Sequence, residues 1–213
     1  MTFFGETLCF IGAHPDDIEL GCGALIADIA DQTNVICVTL SDNQQNPELK
    51  NLVDEHHQAM AILGVKPENA ILHDFTTRRF QAARQEILEV MIAMKRKYHP
   101  EVVFVHTAQD IHQDHKTITE EALRAFRGTT VLGFDVLRSS YGFFPNFLVE
   151  VSEEGVSKKI QALKAYKTYE DKYYFEENII HATAIRHGAL AERPFAEGFD
   201  ILRIVGQFGD KEY

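Results

Sequence analysis

The chain is short of cations, of cysteine and of long apolar runs, and each shortage removes a class of function. Its 21 Lys and Arg face 32 Asp and Glu, a formal net charge of −11. Nucleic acid and anionic membrane are bound chiefly through clustered basic side chains, so neither is an expected partner. The three cysteines, Cys9, Cys22 and Cys37, show no CxxC spacing, and two lie in apolar strand-like runs. They read as small buried hydrophobes in a reducing compartment. Residues 1–6 carry no basic side chain, and the apolar run 8–13 is too short for a signal core or a membrane span, so the expected location is cytoplasmic. No internal repeat, low-complexity run or Pro/Gly/Ser-rich linker divides the 213 residues, which predicts one domain spanning 1–213.

What is present is an alternation. Short apolar, β-branched runs at 7–12, 35–40, 70–72, 102–106 and 130–136 predict strands buried on both faces. Stretches with apolar residues at three- and four-residue spacing, at 24–31, 48–63, 82–98 and 118–126, predict the intervening helices. Each parallel strand needs a right-handed crossover and a helix supplies it, so the expected class is α/β, a Rossmann-like, doubly wound, mostly parallel sheet. The common order 3-2-1-4-5 makes strands 1 and 4 neighbours at the topological switch point. A strand-like run at 147–151, helical stretches at 156–166 and 176–189, and a last strand at 201–205 are expected to complete the sheet and wall the site. The loops 41–47 and 139–146 are candidates to face substrate, with Asn43 in the first of them.

After strand 1, where a dinucleotide-binding protein has phosphate-cradling glycines, this chain has Gly12-Ala13-His14-Pro15-Asp16-Asp17. Two carboxylates there repel a pyrophosphate and suit a divalent cation. His14 and Asp17, three residues apart, reach the same side of a turn and chelate, while Asp16 points elsewhere, within reach of a proton on water, and Pro15 stiffens the turn. Helix capping by Asp16 or Asp17 is the plainer alternative for either residue alone. Strand 4 is followed by Ala108-Gln109-Asp110-Ile111-His112-Gln113-Asp114-His115. His115 would complete a His, Asp, His set with one position open, as catalytic zinc requires. Iron and manganese suit the same donors. His112 would protonate a leaving amine or stabilise an oxyanion, and Asp114 would orient an imidazole, roles that the spacing leaves interchangeable. Thr117 to Glu120 also matches a capping box, which would start the helix there.

These residues resemble the PIG-L or LmbE-like deacetylases, marked by AHPDD-x-E-x-G, here Ala13 to Gly21, and by H-x-D-H, here His112 to His115. The likeness extends to Glu55, Ala59 and Leu63-Gly64 and to Phe195-Ala196-Glu197-Gly198-Phe199. It implies zinc held by His14, Asp17 and His115, with Asp16 as general base and His112 assisting. It also implies N-deacetylation of a small N-acetylated sugar resembling N-acetylglucosamine, free, conjugated or as a nucleotide sugar. Cleavage of another amide, or metal-assisted carbohydrate binding without turnover, are the rival expectations, and a homo-oligomer is compatible with all three. Leu52 stands where the family often has an Arg, removing an expected substrate anchor; Arg78, Arg79 and Arg84 are the candidates to receive a phosphate or carboxylate instead, Arg79 foremost.

Overall fold

Successive residues of the central strands are buried on opposite sides of one sheet. Leu8, Phe10, Val102 and Phe104 enter one apolar cluster, and Cys9, Ile11, Val103 and Val105 enter another. A strand covered on both faces requires helices on both, and the chain supplies them. The computed structural model describes residues 5–43, 46 and 49–206. Its elements are β1 (Thr7–Gly12), α1 (Asp17–Ile29), β2 (Asn34–Thr39), α2 (Leu52–Ile62), β3 (Ala70–Leu72), α3 (Arg84–Tyr98) and β4 (Val102–His106). There follow α4 (Gln113–Ala125), β5 (Thr130–Phe134), β6 (Phe147–Glu150), α5 (Glu153–Lys164), α6 (Glu177–Leu190) and β7 (Ala196–Arg203). Residues of α1, α2, α5 and α6 pack into the first cluster and residues of α3 and α4 into the second.

Among the described residues seven strands form one sheet in the order β3-β2-β1-β4-β5-β7-β6. The first five are parallel and in the expected order 3-2-1-4-5, and β7 pairs antiparallel with both β5 and β6. The Phe10 and Phe104 rings stack at 4.5 Å across β1 and β4, fixing the two strands whose ends carry the polar motifs. No helix among the described residues is long and apolar enough to cross a membrane.

Boundaries differ most from the sequence expectation at three elements. Helix α1 begins at Asp17, not near Ala24, because close packing overrides the poor helix propensity of Gly21 and Gly23. A Cβ on Gly21 would collide with the Phe134 ring of β5, so the bare backbone lets α1 lie against the sheet. Helix α4 begins at Gln113 with His112 as its cap; Thr117 lies inside it, its hydroxyl donating to the Gln113 carbonyl at 3.0 Å. Strand β7 takes in Ala196 to Phe199, which read as a pre-strand motif because Glu197 breaks the apolar pattern. That carboxylate is buried against Lys159 Nζ at 2.7 Å, and it accepts the N–H groups of Ala24 and Leu25.

Candidate metal centre and active-site cleft

The segments after β1 and β4 meet at the carboxyl ends of these adjacent strands, the crevice where open α/β sheets bind ligands. Asp16 adopts φ 105°, ψ −30°, a backbone that L-residues rarely occupy, and α1 starts at the next residue. The turn is closed by the His14 N–H, which donates to Asp17 Oδ2 at 2.8 Å. This bond folds Asp17 back beneath His14, and three donor atoms converge. His14 Nδ1 to Asp17 Oδ2 is 3.3 Å, His115 Nε2 to Asp17 Oδ2 is 3.3 Å, and His115 Nε2 to His14 Nδ1 is 3.4 Å. Ligands about 2.0–2.1 Å from a tetrahedral zinc stand about 3.4 Å apart, so the triangle has the edge length of a zinc coordination shell.

Each imidazole of the triangle has its other nitrogen on a carboxylate. His14 Nε2 meets Asp114 Oδ2 at 3.1 Å, and His115 Nδ1 meets Asp110 Oδ2 at 2.7 Å. A proton held there leaves the lone pairs of His14 Nδ1 and His115 Nε2 facing the centre, the arrangement that orients metal-binding histidines. Two other groupings bring donors together, His14 with His112 and His115, and Asp17 with His106 and His115. Their additional members are engaged elsewhere. His106 Nε2 accepts the Ala13 N–H at 3.1 Å, and its ring stacks on His115 with centroids 3.7 Å apart. His112 Nδ1 accepts the Asp114 N–H at 3.2 Å as the cap of α4, which leaves the proton of the neutral ring on Nε2.

Asp110, given no role from the sequence, is the hub of this layer. Besides His115 it accepts the His112 N–H at 2.8 Å and the Ser139 and Ser140 hydroxyls at 2.9 and 3.2 Å. Burial raises its carboxyl, but the His115 hydrogen bond and charge outweigh that and bring it down to about 2. For His115 burial is outweighed by Asp17 and Asp110, which raise it to about 10; for Asp17 burial is outweighed by His115 and His106, which hold it well below the carboxylate range. Asp16 goes the other way: burial, then the charges of Asp17 and Glu19, push it well above that range. His112 is lowered to about 4 by burial and by the neighbouring His115 and His14. Groups that raise and lower one another this strongly mark a candidate functional site, and the donor triangle is what suits it to a cation.

A cavity of about 430 Å³ opens over the cluster, lined by His14, Asp16, His112, Asn43, Thr77, Tyr169 and Tyr174 among others. Asn43 thus borders the cavity as expected, its Nδ2 3.4 Å from the Tyr169 hydroxyl. The remainder of its loop at 44, 45, 47 and 48 lies outside the described residues. Arg79 is exposed and is not among the lining residues; its neighbour Arg78 is, together with Arg138 and Lys172. Arg84 is engaged with Glu120 and Glu121. Leu52, the first residue of α2, is fully buried in the core and does not border the cavity. Arg138, Tyr169, Lys172 and Tyr174 were not singled out from the sequence, because they reach the cleft from the segments after β5 and α5. The concentration of Tyr and Lys at 166–174 was the available signal.

Fold and site together define an α/β protein with a His/Asp metal-binding cluster at the switch point of its sheet. The family model described as PIG-L, GlcNAc-PI de-N-acetylase, matches residues 9–126, over half of the chain, and the protein belongs to this deacetylase family. The Escherichia coli K12 protein named uncharacterized deacetylase YaiS is 28% identical over 165 residues, covering 74% of this chain and 89% of that one. Among solved structures, N,N'-diacetylchitobiose deacetylase from Pyrococcus horikoshii superposes with a TM-score of 0.77 at 17% identity, over 92% of this chain and 84% of that one. GalB, the 4-carboxy-2-hydroxymuconate hydratase of Pseudomonas putida KT2440, gives 0.78 at 17% identity, over 96% and 100%. At such identities these structures establish the shared fold.

Proposed function

We propose that the protein is a zinc-dependent hydrolase that removes the acetyl group from an N-acetylated amino sugar, with His14, Asp17 and His115 as the metal ligands. The observation that carries this reading is the triangle of donor atoms, with sides of 3.3–3.4 Å, beside a carboxylate and an imidazole that are not part of it. Zinc, when bound, supplies Lewis acidity towards a carbonyl oxygen and towards water. Asp16, lining the cavity next to His14, takes the proton of the attacking water as the acyl carbon becomes tetrahedral. His112 presents Nε2–H to the developing oxyanion, a role favoured over proton donation because its Nδ1 is committed to capping α4. The proton on Asp16 then passes to the leaving amine, freeing acetate and the amino sugar. Asp114 and Asp110 act one step back, holding the His14 and His115 rings in the tautomers that face the metal.

Support for the acetylated sugar comes from the family description and from a neighbour that is by name a deacetylase of N,N'-diacetylchitobiose. Three buried free thiols support a cytoplasmic home, Cys9 being pushed up to about 12 by burial and so inert as a thiolate. A second reading is hydration of an unsaturated carboxylate, favoured by the shared fold of GalB and by the cations in the cleft wall. Product analysis separates the two. Zinc-loaded protein is expected to release acetate from N-acetylated sugars, and Asp16→Asn to lose at least about a hundredfold in rate, the scale of general base catalysis. Equal rates in the two proteins would remove Asp16 from the mechanism, and no acetate from any sugar would remove the deacetylase reading.

A further inference from the structure

A second cavity of about 440 Å³ adjoins the first, and the two share Arg78, His112 and Arg138. His112 and the two arginines therefore stand at the junction of one cleft with two lobes. Across both lobes the charged lining residues, among those the structure describes, are Arg78, Arg138, Lys172 and a single carboxylate, Asp16. In a chain with 32 acidic and 21 basic residues this ratio is inverted, so the cleft wall runs against the charge of the molecule that carries it.

Among the described residues neither guanidinium is held by a carboxylate or a carbonyl. Arg84 and Arg124 both rest on Glu121, and Arg203 donates to the carbonyls of Leu123 and Phe126. The side chains of Arg78, Arg138 and Lys172 have no carboxylate or carbonyl partner among the described residues; Arg138 lies over the Tyr174 ring at 5.5 Å, leaving its in-plane donors open. Arg78 is moreover held in a left-handed backbone, φ 65°, where glycine or asparagine is the ordinary occupant. Its N–H donates to Asp114 Oδ2 at 2.6 Å, and its carbonyl accepts from Gln113 Nε2 at 2.6 Å. The carboxylate that orients His14 thus also fixes the residue that projects an arginine into the cleft. Arg138 lies near enough to Asp16 and Asp17 to feel their charge, and balancing them is the plainer task for these cations; a divalent ion held by the donor triangle would take over that task and leave the guanidiniums for another anion.

We propose that the substrate carries an anionic group, a phosphate or a carboxylate, seated between Arg78 and Arg138 while its acetamido group lies over His14 and Asp16. This rests on the amide-hydrolase reading of the site and narrows its substrate to acidic acetylated sugars. The planar guanidinium forks match either anion in bidentate fashion, and Lys172 adds a point charge at the wall of the first lobe.

Calorimetric titration of zinc-loaded Asp16→Asn protein with N-acetylglucosamine, N-acetylglucosamine 1-phosphate and N-acetylmuramic acid separates neutral, phosphate and carboxylate arms. At least one anionic sugar is expected to bind about tenfold or more tighter than the neutral one, the worth of one charge-assisted contact. Added salt should shrink that advantage, and Arg78→Gln with Arg138→Gln should reduce it to less than about threefold. The arm that gains identifies the anion. No advantage in either arm overturns the subsite, as does one that survives both substitutions, since the anion then sits on the metal. Both arginines are exposed, and the salt titration needs no substitution there, so a folding defect cannot mask the result. Failure of the hydrolase reading looks different: wild-type protein releases no acetate from any of the three sugars while the binding advantage stands.

Discussion

Asp110 shows what single residues contribute beyond their position in a motif. It holds the His115 ring, the backbone at His112 and two serines after β5, so one carboxylate joins the loop after β4 to the loop after β5. Asp110→Asn offers a carbonyl oxygen or an amide N–H to His115 Nδ1 and removes the charge that favours the required tautomer. Zinc affinity should fall about tenfold to a hundredfold, measured by competition with a chromogenic chelator. An unchanged affinity would show that His115 is oriented by packing against His106 alone. His14, Asp16, Asp17, His112, Asp114 and His115 were legible in the sequence because their chemistry is local: three-residue spacing, a rigid Pro15, and two polar loops following apolar strands. Asp110 was not, because its link to His115 depends on a loop folding back on the first turn of α4. That Arg78 and not its neighbour lines the cavity was equally hidden, since two adjacent arginines are told apart only by the turn they stand in, here with φ 65° at Arg78.

At the level of elements, the site depends on how closely α1 approaches the sheet. Its first turn carries Asp17, and one turn further Gly21 lies against Phe134. Gly21→Ala improves local helix propensity by about 1 kcal/mol but forces α1 away from β5 or distorts the Phe134 ring, an overpacking cost of about 1–3 kcal/mol. The second effect acts in a fully buried contact and wins, so net destabilisation in urea unfolding is expected, together with weaker zinc binding as Asp17 shifts. Equal or greater stability would mean that the approach is looser than described. The order of β1 to β5 followed from strand and helix alternation, because parallel crossovers admit few solutions. The start of α1 and the extent of β7 did not. Glycines masked the first and the buried Glu197 the second, and both are explained only by partners more than a hundred residues away, Phe134 for Gly21 and the α1 backbone for Glu197.

For the whole molecule, acidity has a stability consequence away from the site. Asp135, just after β5, is partly buried; burial pushes its carboxyl up to about 6, with Lys159 opposing and Glu197 adding. Its unfolded value is about 3.9. A folded value above the unfolded one means the stabilising contribution is complete below about pH 4 and is lost as pH rises through about 6. Relative to Asp135→Asn, the wild-type chain should therefore lose stability between about pH 4 and pH 7, by at most about 3 kcal/mol. Denaturant unfolding of the two proteins at both ends of that window measures it, and a pH-independent difference would contradict it.

The central claim is that the turn after β1 and the cap of α4 together hold a metal through His14, Asp17 and His115. Calorimetric titration of zinc into chelator-treated wild-type protein and into His115→Ala tests it most directly. The account predicts one tightly bound ion per wild-type chain and a loss of that binding in the variant. Absence of stoichiometric binding, or the same affinity in His115→Ala, would contradict it.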